Sequence, residues 1–146
     1  MGLGTHEAAL WGKFRDGMKK IQPLGMPILL DRIESPGTRR GIPDVFMADP
    51  QYGHCWIELK VANHNKINLT TQQARWLGKH AHFGTRCRIV ALIKKPSLHL
   101  IRVWPGAVAY TVGERGILHP GMDVEAIDGV VDWARMRDHL FYDRMD

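Results

Sequence analysis

Residues 42–61 read IPDVFMADPQYGHCWIELKV, and this stretch is predicted to form two β-strands joined by a tight turn. The first strand holds the apolar run at 45–47, and the second holds the β-favouring residues at 55–62. A proline and a glycine lie between them, and both suit the backbone angles of a turn. Because side chains alternate between the faces of a strand, Glu58 and Lys60 share one face, and we expect Asp44 roughly opposite Lys60.

Two carboxylates and an ammonium group on one strand face have a chemical interpretation. Asp44 and Glu58 can hold a hard divalent cation such as Mg²⁺, which takes one or two carboxylates while keeping water. Such a cation polarises a phosphoryl oxygen and makes hydroxide available near neutral pH. Lys60 can then offset charge that develops on the phosphorus, or hold the attacking water. The alternative is a solvated strand face with a Glu–Lys pair, because Glu-x-Lys by itself is common.

Short motifs around this stretch, taken in order, resemble the VRR-NUC family of the PD-(D/E)XK nuclease superfamily, in its small stand-alone form from bacteriophages and bacteria. The motifs are RRGIPD at 39–44, ELK at 58–60 and LTTQQARW at 69–76. The family has a Gly-x-Pro-Asp strand, a Glu-x-Lys strand and a helix that opens with Gln, and the match covers residues 33–95. The resemblance implies an α/β, restriction-endonuclease-like fold, in which a mixed central sheet is flanked by helices.

The same motifs indicate the residues of a catalytic site. We expect Asp44 and Glu58 to bind Mg²⁺ or Mn²⁺, with the backbone carbonyl of Leu59 as a further ligand. Lys60 is expected to stabilise the transition state of phosphodiester hydrolysis.

Two further residues have competing interpretations. Many nucleases of the resembled superfamily place a third metal-site carboxylate on the first helix, and Glu7 is the candidate here. The alternative for Glu7 is an acid that favours the dipole of the first helical turn. The resemblance makes Gln73 an active-site residue that orients water or phosphate, whereas the spacing Thr70-x-x-Gln73 predicts a capping box with no role in chemistry.

Length and composition are those of an ordinary globular protein. The chain has 146 residues, of which 45% are hydrophobic and 24% charged, so we expect residues 1–146 to form a single domain. No apolar run approaches the ~20 residues of a membrane span, and the beginning of the chain lacks the apolar core of a signal peptide. We therefore expect no membrane association and a cytoplasmic location, in a bacterium or a phage-infected host cell.

Charge is distributed unevenly along the chain. Residues 1–100 carry 15 basic and 7 acidic side chains, whereas residues 101–146 carry 5 basic and 8 acidic ones. The basic excess coincides with the motif region and suits a polyanion such as nucleic acid. Arg39, Arg40 and Lys66 are the candidates for phosphate contacts. A merely basic protein with no such partner is the alternative.

The predicted function is a metal-dependent, structure-selective DNA endonuclease that hydrolyses phosphodiester bonds. The resemblance points to branched DNA, such as Holliday junctions or flaps, and to a homodimer that matches the symmetry of a junction. Two alternatives remain open: a non-catalytic nucleic-acid-binding module on a nuclease-like scaffold, and a sequence-specific, restriction-type endonuclease. The sequence does not distinguish DNA from RNA as the substrate.

Periodicity predicts the order α-β-β-β-α-β-β, followed by helices. After the active hairpin, residues 70–84 are predicted as a helix, 86–94 as a buried strand and 98–104 as a strand at the sheet edge. The remainder is predicted as a short helix at 107–112, a loop at 113–121 and a helix at 131–142.

Overall fold

The structure, a computed structural model, describes residues 5–22, 26–33, 41–96, 98–127 and 129–142. The helices are α1 (Thr5–Ile21), α2 (Thr71–His82), α3 (Ala109–Arg115) and α4 (Trp133–Leu140), with short 3-10 turns at Gly106–Val108 and Gly116–Leu118. The strands are β1 (Leu29–Arg32), β2 (Val45–Asp49), β3 (Gly53–Val61), β4 (Cys87–Lys95), β5 (Leu98–Pro105), β6 (Met122–Ile127) and β7 (Val130–Val131).

These strands form a seven-stranded sheet whose order in space is their order in the chain. Neighbouring strands run antiparallel, apart from β3 and β4, which are parallel and are connected through α2. A parallel pair requires such a crossover, because a tight turn can join only antiparallel strands. The sheet is therefore mixed and flanked by helices, and the predicted α/β, restriction-endonuclease-like fold is confirmed.

Each face of the sheet is covered by its own helices. On one face, α1 and α4 pack over the side chains that β2 and β3 direct away from Glu58 and Lys60, including Met47, Ile57 and Leu59. On the other face, α2 and α3 pack over β4 and β5, with Leu77 and Trp104 fully buried. In the ranges described above, every helix falls short of the length and continuous apolarity of a membrane-spanning segment.

The second half of the chain departs from the sequence prediction. β5 is not an edge strand: it lies between β4 and β6, and Trp104 is 0% exposed. The loop expected at 113–121 is helical as far as Leu118, and β6 and β7 after it were not predicted. The residues of β6 read MDVEAI, in which only Val124 is buried, so the strand has almost no apolar pattern.

Candidate active site

The β2–β3 hairpin brings Asp44 beside Glu58. Val45 pairs with Ile57, so the next position along the ladder sets Asp44 against Glu58 rather than against Lys60, as the sequence had suggested. The predicted register is wrong by two residues, because the turn closes with the pair of Asp49 and Gly53. Since a shift of two keeps every side chain on its face, Lys60 still shares a face with both carboxylates.

A backbone hydrogen bond fixes the Asp44 side chain against β3. The amide of Leu59 donates to Asp44 Oδ2 at 3.1 Å. Asp44 lies between Pro43 and Val45, the first residue of β2, and its side chain is half-buried. The carboxylate is thereby held against the Glu-x-Lys strand, with the backbone of Leu59 at the site.

Glu58 is a buried carboxyl group with one unpartnered oxygen. The residue is 1% exposed. Gln73 Nε2 donates to its Oε2 at 3.4 Å, and Lys60 Nζ lies 3.7 Å from the same oxygen. Its Oε1 is buried and has no hydrogen-bond partner among the described residues. Burial raises the pKa of Glu58 well above its ordinary value, Asp44 raises it further through charge and side-chain contact, and Lys60 opposes the shift.

Lys60 is 7% exposed, which is unusual for a lysine. Its Nζ donates a hydrogen bond to Gln73 Oε1 at 3.1 Å and forms the ion pair with Glu58. The ammonium group is therefore held beside the Glu58 carboxylate. The alternative of a solvated strand face would require it to extend into solvent.

Gln73 forms the predicted helix cap and also contacts two candidate site residues; its role in orienting water or phosphate stays a prediction. The predicted capping box is present: the Gln73 amide donates to Thr70 Oγ1 at 3.1 Å, and Gln73 Oε1 accepts from the Thr70 amide at 3.0 Å. The same side chain also contacts Lys60 and Glu58. The Gln73 side chain therefore contacts the N-terminus of α2 and the strand β3 at the same time.

Gly41 allows the Asp44 segment to approach the start of α2. It has a φ of +86°, a conformation that glycine adopts without steric cost. A Cβ atom at this position would collide with the backbone carbonyl of Gln72. Glycine in the Gly-x-Pro-Asp motif is therefore explained by close packing of two backbones, one leading to Asp44 and the other to Gln73, a role that sequence reasoning did not assign.

Glu7 lies within electrostatic range of this group. Burial raises the pKa of Glu7, the ammonium of Lys60 lowers it and the charge of Asp44 raises it. Nevertheless, within the described ranges no three side chains of His, Cys, Asp or Glu form a ready-made metal-binding cluster. Glu7 is therefore a neighbour of Asp44 and Lys60 in this conformation, and its place among the metal ligands stays a prediction.

The donor set fits a hard divalent cation held by few protein ligands. Mg²⁺ commonly takes one or two carboxylates and retains several waters, so a three-residue cage is not required. An ion between Asp44 and Glu58 would give the buried Oε1 of Glu58 a partner and would relieve the repulsion of two adjacent anions. A buried carboxylate oxygen without a hydrogen-bond partner is unfavourable, and a bound cation would supply the missing partner.

The structure describes one of the three predicted phosphate-contact residues. Arg39 and Arg40 lie outside the described residues. Lys66 is exposed, in a tight turn closed by reciprocal backbone hydrogen bonds of 3.0 Å with Asn63. This turn belongs to the connection from β3 to α2, so Lys66 lies between Lys60 and Gln73 in the chain.

Comparisons with known proteins give structural similarity at low sequence identity, without a sequence match. No protein-family model matches the chain, and no curated protein matches it either. A solved structure of Hjc, a Holliday junction resolvase from the archaeal hyperthermophile Archaeoglobus fulgidus, is similar over 70% of this chain and 77% of that one, with 16% identity and a TM-score of 0.48. The resemblance to the VRR-NUC family therefore continues to rest on the sequence motifs.

Proposed function

We propose that this protein is a metal-dependent, structure-selective DNA endonuclease that hydrolyses phosphodiester bonds. One observation supports this most strongly: Glu58 is buried beside Asp44, one of its oxygens has no hydrogen-bond partner in the part of the chain that the structure describes, and Lys60 forms an ion pair with it. Buried carboxylates that repel each other destabilise a fold, and such arrangements are concentrated at functional sites.

The roles of the residues follow from their positions. Asp44 and Glu58, with the Leu59 carbonyl and Glu7, would hold Mg²⁺ or Mn²⁺. Such an ion, when bound, polarises a phosphoryl oxygen and lowers the pKa of water.

Lys60 carries a positive charge in a site nearly closed to solvent, where it offsets negative charge that develops on the phosphoryl group more effectively than in water. Gln73 fixes the Lys60 ammonium through its Oε1 atom and so sets the direction in which that charge acts.

A nucleic-acid substrate is supported by the charge of the chain. Net charge is +5, and the basic excess lies in the first hundred residues. Lys66 is exposed and available to a phosphate, and we assign the same role to Arg39 and Arg40. Branched DNA, with Holliday junctions or flaps as the substrates, follows from the motif resemblance.

A two-fold homodimer completes the proposal, because a junction offers two symmetry-related strands. Two apolar regions that the sequence suggests as an interface, the strand near Trp104 and the C-terminal helix around Trp133 and Phe141, pack within one subunit. Trp104 is 0% and Phe141 8% exposed. Trp133 packs edge-on against Phe14 at 6.1 Å between ring centroids. An interface must therefore use other surfaces, and sedimentation that gives a 16.6 kDa monomer at micromolar concentration would reject the dimer.

A cleavage panel tests the function. Single-stranded, duplex, flap and four-way junction DNA are incubated with the protein, with and without Mg²⁺ or Mn²⁺. We expect cleavage that requires the metal ion and prefers flap or junction DNA. Cleavage of unbranched DNA at one discrete sequence would instead identify a restriction-type enzyme. Binding without cleavage under every condition would identify a non-catalytic module.

A further inference from the structure

An open groove lined by aromatic rings lies beside the candidate active site. It has a volume of about 520 Å³, and the rings of Phe46, His54 and Trp56 form one side of it. Ala81, at the end of α2, and Thr85 and Arg86, which follow the helix, form the other side. Phe46 and Trp56 are only half-buried although they are large and apolar, so part of each ring faces the groove rather than the core.

The rings of the groove lie on the same face of the sheet as the two candidate carboxylates. His54, Trp56 and Glu58 occupy alternate positions of β3 and therefore share one face. At about 3.3 Å per residue, His54 lies about 13 Å along the strand from Glu58. Phe46 follows Asp44 by two residues and pairs with Trp56 across the ladder. Both carboxylates and all three rings thus lie on one strip of the sheet.

Helix α2 runs beside this strip. Gln73 contacts Glu58 and Lys60 near the start of the helix, and one turn later Trp76 meets Trp56 edge-to-face at 5.5 Å between centroids. Ala81 then lines the groove near the helix end. The same two elements that build the catalytic site therefore build the walls of the groove, and a strand of substrate leaving the site would pass along it.

The aromatic rings are arranged as a connected surface. Phe46 lies 5.0 Å from Trp56 and 5.5 Å from His54 between ring centroids. Ring faces of this kind hold nucleobases by stacking, without regard to sequence. Paired bases inside a duplex are already stacked on their neighbours, so only unpaired bases are free to use the groove.

The charge of the groove suits a phosphodiester backbone. Among the described residues that line the groove, Arg86 is the positively charged one. Its Nη1 donates hydrogen bonds to the carbonyl of His54 at 3.0 Å and to that of Tyr52 at 3.4 Å. Its positive charge is therefore fixed on the wall. A nucleic-acid strand with unpaired bases would stack its bases on the aromatic wall and place its phosphates near Arg86.

We infer that this groove binds the unpaired bases of a single-stranded DNA segment adjoining the scissile phosphodiester. The inference rests on the proposed function and adds to it the feature that separates the branched substrates: a flap is preferred because it supplies unpaired bases next to a duplex, which a fully paired four-way junction does not. The distance of about 13 Å from His54 to Glu58 corresponds to roughly four stacked nucleotides at 3.4 Å each.

Binding to tailed duplexes tests this inference separately from catalysis. Fluorescence anisotropy in metal-free buffer with EDTA compares a blunt DNA duplex, the same duplex with a short thymidine tail, and one with a tail of abasic nucleotides. The abasic tail keeps the phosphates but has no rings to stack. We expect the full protein to bind the thymidine tail about five-fold or more tightly than the abasic tail.

Two variants remove that preference by different means. Phe46→Leu takes away one ring, and Ala81→Leu fills the groove from the opposite wall and keeps all the rings. Each should bind the thymidine tail no better than the abasic one, with far-UV circular dichroism showing that it is folded. Tyr110→Ala is the matched control, because Tyr110 is an aromatic residue 52% exposed on α3, outside the groove, and its loss should leave the preference intact.

Equal affinity of the unmodified protein for thymidine and abasic tails would overturn the inference, and so would an undiminished preference in both folded groove variants. Because no metal is present in this assay, the outcome does not depend on cleavage. A protein that shows the tail preference but never cleaves would contradict the proposed nuclease function and support the inference about the groove. Metal-dependent cleavage without the tail preference would support the nuclease function and contradict the inference about the groove.

Discussion

Gln73 Oε1 accepts a hydrogen bond of 3.1 Å from Lys60 Nζ, which ties the first turn of α2 to the buried ammonium group on β3. The same oxygen accepts from the Thr70 amide at 3.0 Å and so caps its own helix. One side chain therefore both caps the helix and positions the buried ammonium group.

The first prediction separates these roles with a pair of variants. Gln73→Ala removes both, so catalytic rate and the free energy of unfolding should fall together. Thr70→Ala removes the side-chain cap and leaves the contacts of Gln73 with Lys60 and Glu58, so it should cost about 0.5–2 kcal/mol of stability and retain activity per folded molecule. Urea unfolding and initial cleavage rates supply the measurements. Equal activity of Gln73→Ala and the unmodified protein would restrict Gln73 to capping.

Sequence patterns identified the elements that carry the site. The alternating faces of β3, the turn at Asp49–Gly53 and the Thr-x-x-Gln cap are local features, and the structure bears out each of them. Local spacing could not fix the β2–β3 register, since moving Asp44 from Lys60 to Glu58 keeps the same side chains on the same face. Nor could local spacing show that Gln73 both caps α2 and contacts Lys60, because the second contact depends on how α2 packs on the sheet.

The C-terminal part was harder to predict for a different reason. β6 and β7 are held by pairing with β5 and with each other, not by an apolar pattern of their own. Ile127 and Val130 remain 69% and 70% exposed even though they lie in strands. Pairing with neighbouring strands outweighs local propensity here. Because β6 pairs with β5, the strand that was expected at the sheet edge lies in the interior.

The second prediction concerns two glycines of α1. A Cβ atom on Gly17 would overlap the indole ring of Trp133 on α4, whereas the nearest atom to a Cβ on Gly12 is Arg15 Nη2 at 4.0 Å. Gly12→Ala should therefore raise the free energy of unfolding by up to about 1 kcal/mol, because alanine favours the helix. Gly17→Ala should lower it by about 1–3 kcal/mol through overpacking. Urea unfolding of the two variants measures both, and stabilisation of the same size at both positions would contradict the α1–α4 packing.

The third prediction is a pH dependence that arises from the ion pair of Asp49 with Arg137. Arg137 donates to both Asp49 oxygens, at 2.6 and 3.0 Å, and the Asp49 side chain is 0% exposed. Burial alone would raise the pKa of Asp49, but hydrogen bonds from Arg137 and from two backbone amides outweigh it and lower the pKa. The unfolded state, with a pKa of about 3.9, therefore binds the proton more tightly.

It follows that the ion pair stabilises the fold fully above about pH 4, and that this contribution is lost as the pH falls through the lower pKa of the folded state. Asp49→Asn should cost about 1.5–3 kcal/mol near neutral pH and progressively less at more acidic pH. The control is Asp123→Asn: Asp123 is 38% exposed in its pair with Arg102, and such pairs contribute about 0–1 kcal/mol. A cost of Asp49→Asn that is constant from neutral to acidic pH would contradict this prediction.

The fourth prediction distinguishes the metal ligands from the lysine. Asp44→Asn removes a charge that would bind the cation, so Mg²⁺ affinity should fall. Lys60→Ala removes a nearby positive charge, so affinity should be unchanged or slightly higher. Isothermal titration calorimetry measures both, with Asp138→Asn, an exposed acid on α4, as the control. Weaker binding in Lys60→Ala than in Asp44→Asn would reverse the assigned roles.

The most direct test of the central claim is the initial rate of Mg²⁺-dependent cleavage of flap and four-way junction DNA by the unmodified protein, Asp44→Asn and Lys60→Ala. The three proteins are purified side by side so that a contaminating nuclease appears in all of them. The site described here predicts cleavage by the unmodified protein and a loss on the order of 10²–10³ in rate for each variant. Cleavage by both variants at the unmodified rate would contradict it.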